Sequence, residues 1–470
     1  KSNKLIFSNY IILVYLTIIL FSPSCIKNQS AFLNSTHYIY TSLNGIGPNM
    51  VTMFKIDQSS FNVTQETFLT QGLGAADTNR YAPLRGCFSS QGGIDLIQNK
   101  LLVVNPGSND ITVFNIDKPS GNLNFLNKTN SGGVRPVSLT SCRATYNFIT
   151  QSPNVDTNIY CVLVANQKFN VVGFDTGINL IKYPNADFYN TLNQKDPERN
   201  VSLFQFNATT GALNFIKTLD YFQNIDGAVN SVVFNRKANQ FAVVTGGIVQ
   251  ITDEPEQVDS NFQKPGKLYV YNFVQGAQLL SQPLPRIEYY ENGCSDLIGF
   301  SWSLDDKNIY LTNANLSAAK YRNSLVTLSI SNNSINKIQN FATSNAAMDA
   351  ACWSLVDSVR NLLMISSTGD DAITVYKINQ QNTLNIFGNN ANEISYFFRY
   401  NTYNGSNDNT ELFLLENKLY NVRSFDAFTF NMLLINNDGS LVPLVEADVK
   451  GANIRSQGVY NFLGLVGYKN

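Results

Sequence analysis

The chain has 470 residues, a formal net charge of -1 and no block of basic residues, which excludes the electrostatic footprint of a nucleic-acid-binding protein. Charged residues make up only 14% of the chain, against about 25% in an average soluble domain. With 23 Tyr and 31 Phe beside many Asn, Ser and Thr, the composition favours β-strands joined by tight turns over helix bundles.

The first residues have the pattern of a secretory signal peptide. Lys1 and Lys4 precede an apolar run at residues 10–21, which is the length of a signal core and short for a membrane span. Small residues then precede Cys25, and an uncleaved anchor or a lipid attached to Cys25 are the alternatives. The predicted organisation is a signal peptide (1–24), a linker (25–36) and an exported, extracellular folded part (37–470).

One pattern recurs seven times along the rest of the chain. An apolar strand is followed by a second strand that ends in an aromatic residue or Leu, and then by a polar turn. The clearest copies are NDITVFNI at 109–116 and DAITVYKI at 371–378. The period of two predicts strands, and four such strands per radial repeat make a propeller blade. The copies lie at residues 49–56, 109–116, 200–206, 267–273, 324–330, 371–378 and 428–435.

The two ends of the chain indicate how the ring closes. The first repeat has no inner strand before Tyr38, whereas SQGV at 456–459 is similar to SQGG at 90–93, which opens the second repeat. We therefore predict an all-β fold: a seven-bladed β-propeller of four-stranded antiparallel blades, closed by the C-terminal strand so that no sheet edge is left unpaired. A β-solenoid and a pair of β-sandwiches are the alternative folds.

Several motifs point to a known family. They are QGLG at 71–74, SQG at 90–92, LLVVNPGSNDITVF at 101–114, SGGVRPVS at 131–138 and the repeat at 351–378. These segments resemble the lactonase-like seven-bladed propellers, which are related to phosphogluconolactonases and carboxymuconate cyclases. The resemblance implies ring opening or ring closing of a lactone, with an Arg for the carboxylate or oxyanion and a His or Glu as general base.

Candidate site residues come from the loops that enter the inner strands, because these loops converge on the central channel. Arg135 follows a Gly pair, and its guanidinium can hold a carboxylate through two parallel hydrogen bonds. The alternative is an arginine that binds loop carbonyls. No residue stands out as the general base; Asp226 and Asp296 are candidates, although each can instead cap a turn. The further ligand-binding candidates are Arg85, Gln91, Asp349, Arg455 and Gln457.

The cysteines and the single histidine argue against a metal site. None of the six Cys lies in a CxxC arrangement and His37 is the only His, so neither a metal nor another cofactor is expected. Cys142 and Cys161 flank an inserted hairpin and are the first predicted disulfide, and Cys294 and Cys352 are the second. The predicted glycosylation sites are Asn62, Asn127, Asn207 and Asn315.

Two functions fit these patterns. The first is an extracellular enzyme that acts on a lactone or sugar acid, for which the sequence supplies no obvious general base. The second is a non-catalytic binding or matrix protein, such as a fibre subunit whose N-terminal strand joins another copy of the chain. The sequence does not separate them. In both cases a stable membrane span is not expected.

Overall fold

The computed structural model describes residues 35–75, 90–168, 172–175, 191–252, 264–292, 294, 296–314, 325–341, 343, 350–368, 372–385, 398–401, 409–423, 428–450 and 461–470. Within these residues, seven four-stranded antiparallel sheets account for most of the regular structure. The helical elements described are one turn of α-helix, Gln278–Ser281, and one 3-10 turn, Asn224–Asp226. The predicted seven-bladed propeller is therefore confirmed.

The blades are numbered 1 to 7 in chain order, and the strands of each are given from the innermost outwards. Blade 1 consists of Asn461–Lys469, Thr36–Asn44, Gly47–Asp57 and Val63–Gly74, and blade 2 of Ile94–Ile97, Lys100–Asn105, Asp110–Ile116 and Leu123–Asn130. Blade 3 consists of Pro136–Arg143, Ile159–Asn166, Lys195–Asn207 and Leu213–Gln223, and blade 4 of Val229–Phe234, Gln240–Thr245, Lys267–Asn272 and Arg286–Tyr290. Blade 5 consists of Phe300–Trp302, Asn308–Thr312, Leu325–Ile330 and Ile335–Phe341, and blade 6 of Ala351–Asp357, Leu362–Ser367, Ala372–Lys377 and Phe398–Asn401. Blade 7 consists of Asn409–Leu415, Lys418–Arg423, Thr429–Ile435 and Leu441–Asp448.

Blade 1 closes the ring with strands from both ends of the chain. Asn461–Lys469 pairs antiparallel with Thr36–Asn44, in the register Ile39↔Gly467. This confirms the predicted closure, although the strand begins just after the SQGV motif that suggested it. The register shifts between Thr41 and Ser42, and Gly464 is the extra residue at this bulge.

The hydrophobic core lies between the blades. In strand Ile159–Asn166 of blade 3, Leu163 packs in a cluster with blade 4, whereas Val162 and Val164 pack in a cluster with blade 2. Both faces of the strand are therefore buried, which explains why the sequence reads as a continuous apolar run and not as a strict alternation. Each such side chain contributes about 1.5–3 kcal/mol on burial.

Two additions extend the blades. The hairpin of Tyr146–Asn147 and Ser152–Pro153 interrupts blade 3, at the insertion that Cys142 and Cys161 were predicted to flank. Val172–Asp175 pairs in parallel with Val249–Thr252, which joins an insertion of blade 3 to one of blade 4. None of the helices that the structure describes is long and apolar enough to cross a membrane.

Candidate site in the central channel

The inner strands surround a channel that the chain itself crosses. Ser90–Gly92, here called the crossing segment, precedes the inner strand of blade 2. The side-chain amide of Gln91 donates to the carbonyl of Ser354 at 3.1 Å and accepts the backbone N–H of Ser354 at 3.3 Å. Ser354 belongs to blade 6, which lies across the ring from blade 2. Gln91 therefore spans the channel.

The main chain of Gln91 is bound as tightly as its side chain. Its N–H donates to the Ser231 hydroxyl of blade 4 at 3.0 Å, and its carbonyl accepts from the Ser138 hydroxyl of blade 3 at 2.6 Å. Ser231 in turn donates to the carbonyl of Ile298 at 2.5 Å. Small hydroxyl side chains at these inner-strand positions leave room for the crossing segment and satisfy its polar groups.

Trp353 and Gly299 complete the contacts of the crossing segment. The indole N–H of Trp353 donates to the Ser90 carbonyl at 2.6 Å. A Cβ atom on Gly299 would lie 2.1 Å from Oε1 of Gln91, so only glycine leaves space for that amide. Trp302, by contrast, donates to the carbonyl of Val233 in the neighbouring blade at 3.2 Å. Both tryptophans are buried among strands, as expected for packing residues.

Glu411 is the carboxylate that the channel holds beside the crossing segment. It lies on the inner strand of blade 7 and is 4% exposed. Its Oε1 accepts the N–H of Gly92 at 2.9 Å and the N–H of Gly464 at 3.0 Å. Both glycines have left-handed backbones, with φ of 79° and 80°, which other residues adopt at a cost. Glu411 thus ties blade 7 to blades 2 and 1.

Burial determines the acidity of this carboxyl group. Desolvation raises the pKa of Glu411 to about 7, because it outweighs the opposing effect of the two backbone hydrogen bonds. Among the residues that the structure describes, both donors to Glu411 bind the same oxygen, Oε1. The group can therefore take up and release a proton near neutral pH, through Oε2, while Oε1 stays anchored.

Arg135 lies where it was predicted, at the entry to the inner strand of blade 3. Its backbone has a φ of 62°, its N–H donates to Oδ1 of Asn109 at 2.7 Å, and its carbonyl accepts the N–H of Gln167 at 2.8 Å. The residue is 8% exposed. The loop thus holds the Arg135 backbone in one conformation, and its role towards a ligand stays a prediction.

Asp226 is fully engaged by its neighbours. Its Oδ1 accepts the Tyr269 hydroxyl at 2.8 Å and contacts the ammonium group of Lys267 at 3.0 Å, and its Oδ2 accepts the N–H of Gln223 at 2.9 Å. Both carboxylate oxygens are therefore bound by groups of the protein itself. These contacts favour the alternative reading of Asp226, as a residue that holds its loop.

Asp296 occupies the equivalent loop before blade 5. It is 2% exposed, has a φ of 56°, and its N–H donates to the carbonyl of Gly246 at 2.7 Å. Gln91 lies in the channel as expected, although its amide is committed to Ser354 and its binding of a ligand stays a prediction. The predicted residues outside the described part of the chain are Arg85, Asp349, Arg455, Gln457 and Asn315.

Sequence reasoning missed Glu411, a buried carboxyl group of the channel whose pKa is raised to about 7 by desolvation. The usable signal is that Glu411 is a lone acid at the start of an apolar inner strand, at the level of Ser138 and Ser231 in the other blades. In the described residues, no three His, Cys, Asp or Glu side chains come together as a metal site.

Comparison with known proteins gives structural relatives only. No family model and no curated sequence matches the chain. A periplasmic gluconolactonase from Pseudomonas aeruginosa superposes with a TM-score of 0.54 at 14% identity, over 90% of this chain and 99% of its own. A protein from Lactobacillus plantarum gives 0.56 at 14% identity, over 92% and 99% of the two chains.

A third structure, a candidate 6-phosphogluconolactonase from Bacteroides fragilis, gives a TM-score of 0.55 at 11% identity, over 92% of this chain and 98% of its own. The chain shares the propeller fold of these structures. A hypothetical selenium-binding protein from Sulfolobus tokodaii also superposes on this chain, with a TM-score of 0.54 at 8% identity, over 92% of this chain and 94% of its own. The fold alone therefore does not decide the chemistry.

Proposed function

We propose that this protein is a hydrolase that opens the ring of a lactone or small cyclic acid at the central channel, with Glu411 as its general base. The observation that carries the proposal is the anchored carboxylate of Glu411, held by Gly92 and Gly464 beside the crossing segment. The fold it shares with a gluconolactonase supports the same class of substrate.

Glu411 would act through its second oxygen. Oε2 takes a proton from a water molecule as the water oxygen attacks the ring carbonyl, the ring C–O bond breaks, and the proton passes to the departing alkoxide. The two N–H groups on Oε1 fix the direction of Oε2 throughout, which removes the entropic cost of orienting it. Arg135 would bind a substrate carboxylate or the oxyanion.

The test is base uptake in a pH-stat with a panel of sugar lactones and carboxylated lactones. We expect Glu411→Gln to lower kcat about 100-fold or more, since Gln keeps the acceptor for Gly92 and Gly464 but cannot take a proton. Arg135→Ala should chiefly raise KM. Glu446→Gln, an exposed position on the outer strand of blade 7, is the matched control and should leave the rate unchanged.

The pH profile gives a second readout of the same base. Because the folded pKa of Glu411 is about 7, kcat/KM for the wild type should rise through pH 7 and reach a plateau above it. Hydrolysis by Glu411→Gln at the wild-type rate would overturn the assignment of the base, even if the protein hydrolyses lactones.

A non-catalytic binding or matrix protein is the second candidate. The observation that favours it is the crossing segment, which occupies the channel at the level of Ser138, Ser231 and Ser354. A flat trace with every lactone of the panel would favour this candidate. Light scattering of protein that retains residues 1–24 would then test self-association through the N-terminal segment, which lies outside the described residues.

We also propose that the protein is exported and glycosylated. The N-terminal pattern of Lys1, Lys4 and the apolar run supports export, and sequencing the N-terminus of protein recovered from the culture medium tests it. Asn62 is exposed and can accept a glycan, and the side-chain oxygen of Asn207 accepts the N–H groups of Thr209 and Thr210 in a turn. Nδ2 of Asn127 donates to the carbonyl of Gly211 at 2.8 Å, so Asn127 should be the least occupied of these three.

A further inference from the structure

Cys142 and Cys161 face each other across the two inner strands of blade 3. The antiparallel register places Cys161 directly opposite Cys142, between the pairs Tyr160↔Arg143 and Val162↔Ser141. Both side chains are thiols, as are those of Cys294 and Cys352, so neither of the two predicted disulfides is formed in the described part of the chain. Cys161 is buried and Cys142 is half-buried. Directly opposite residues of an antiparallel pair have Cα atoms about 4.5–5.5 Å apart, within the range that a disulfide spans.

Gln275, which follows the third strand of blade 4, lies over both sulfur atoms. Its Oε1 accepts the N–H of Thr145 at 2.7 Å, and its Nε2 donates to the carbonyl of Arg143 at 3.1 Å. These two backbone contacts determine which end of the amide is which. The same Oε1 lies 3.4 Å from Sγ of Cys161, and the same Nε2 lies 3.8 Å from Sγ of Cys142.

The amide thus treats the two thiols differently. Its oxygen accepts from the S–H of Cys161, whereas its N–H donates to the sulfur of Cys142. A hydrogen bond with Cys142 and burial both raise the pKa of Cys161. Cys161 therefore holds its proton, and Cys142, which is nearer to solvent, is the thiol placed to react first.

We propose that Cys142 and Cys161 are a redox-active pair that forms a reversible disulfide by exchange with a small-molecule disulfide such as oxidised glutathione. The Cys142 thiolate attacks one glutathione sulfur, which releases one reduced glutathione and leaves a mixed disulfide. Cys161 then loses its proton and attacks Sγ of Cys142, which releases the second reduced glutathione. The protein gives up two electrons to the small-molecule disulfide, and two thiol protons balance the two glutathione thiols.

The register also indicates why this bond would be reversible. Cβ atoms of directly opposite residues lie about 4.5–5.5 Å apart in a regular sheet, whereas a disulfide prefers about 3.5–4.5 Å. Closing the bond must draw the two strands together locally, against the packing of blades 2 and 4 on both faces of blade 3. A bond closed against such resistance is more easily reduced than an ordinary structural disulfide.

The test is equilibration of the full-length protein in glutathione buffers of varied redox ratio, followed by alkylation and peptide mass mapping. We expect a Cys142–Cys161 bond that forms in oxidised glutathione and opens again in excess reduced glutathione. Cys161→Ser should stop at glutathione on Cys142, and Cys142→Ser should leave Cys161 unmodified. Gln275→Leu should slow the first step several-fold, and Cys352→Ser, which removes another buried thiol, should behave as wild type.

Three results would overturn the proposal. They are the absence of a bond at every ratio in protein that keeps its folded circular dichroism spectrum, a bond that excess reduced glutathione cannot open, and glutathione attached to Cys161 in Cys142→Ser. The lactone assay is independent of this pair, so either proposal can fail without the other.

Discussion

Glu411 and Asp226 are both almost completely buried carboxyl groups, with 4% and 1% exposed, yet their surroundings are opposite. Asp226 has an ammonium group, a phenol hydroxyl and a backbone N–H on its two oxygens. Glu411 has two backbone N–H groups on one oxygen. The comparison teaches that what surrounds a buried carboxyl group matters as much as its burial: Lys267 forms an ion pair with Asp226, whereas desolvation raises the pKa of Glu411 to about 7.

The largest expected effect on stability comes from removing the ammonium group of Lys267, which contacts the Asp226 carboxylate. Lys267→Met leaves a buried carboxylate without its charged partner, and we expect the free energy of unfolding to fall by about 4 kcal/mol. Urea denaturation at pH 7 measures it. The control is Lys195→Met, because Lys195 is 55% exposed and its ion pair with Asp220 should contribute less than about 1 kcal/mol. Equal losses in the two variants would contradict the comparison.

Glu411 should make stability depend on pH in the opposite direction to an ordinary carboxylate. Its pKa is raised from 4.5 to about 7 on folding, so its contribution is fully present below pH 4.5 and is lost as the pH rises through 7. Between pH 4.5 and pH 8 the wild type should lose about 3 kcal/mol relative to Glu411→Gln. Denaturation curves of the two proteins at both pH values measure this difference. If the pKa of Glu411 were the same in the folded and unfolded chain, the free energy of unfolding would change equally in both proteins.

His37 extends the comparison to a buried base. Its Nδ1 lies 2.5 Å from the Tyr420 hydroxyl and its Nε2 lies 3.4 Å from Oε2 of Glu416. Burial lowers the pKa of His37 to about 4 despite the neighbouring Glu416. As the pH falls, His37 becomes protonated in the unfolded chain before it does in the folded protein. The free energy of unfolding should therefore fall by about 3 kcal/mol as the pH drops from 6.5 to 4.

The His37 effect can be isolated with one variant. His37→Gln keeps a donor and an acceptor but has no charge to gain, so its stability should change less than that of the wild type over this range. Thermal unfolding at pH 6.5 and pH 4 compares them. An identical fall in both proteins would assign the acid sensitivity to other groups.

The smallest expected effect concerns the backbone that holds Glu411. A Cβ on Gly464 would lie 2.3 Å from the side chain of Ile94, so Gly464→Ala must move the N–H that binds Glu411. Gly47 also has a positive φ, but no atom lies within 4 Å of its Cβ position. We expect Gly464→Ala to lower the free energy of unfolding by about 2 kcal/mol more than Gly47→Ala, measured in urea.

Parts of the candidate site followed the sequence prediction and parts did not. Arg135 and Gln91 lie at the inner-strand entries where the repeat predicted them, because a repeat places equivalent residues in equivalent positions. The same reasoning placed Asp226 at such an entry, but it did not detect that Lys267 and Tyr269 bind the Asp226 carboxylate. It also passed over Glu411, because a single acid before an apolar strand is a common local pattern.

The sequence by itself determined the number of blades, the order of their strands and the closure of the ring by the C-terminal strand. These follow from period-two patterns, turn residues and repetition, which are local properties of a chain. Only the tertiary structure decided the chemistry of the channel. Gln91 meets Ser354 across 263 residues, and Gly92 meets Glu411 across 319. The environment of each group, and hence its charge, arises from residues that no local pattern connects.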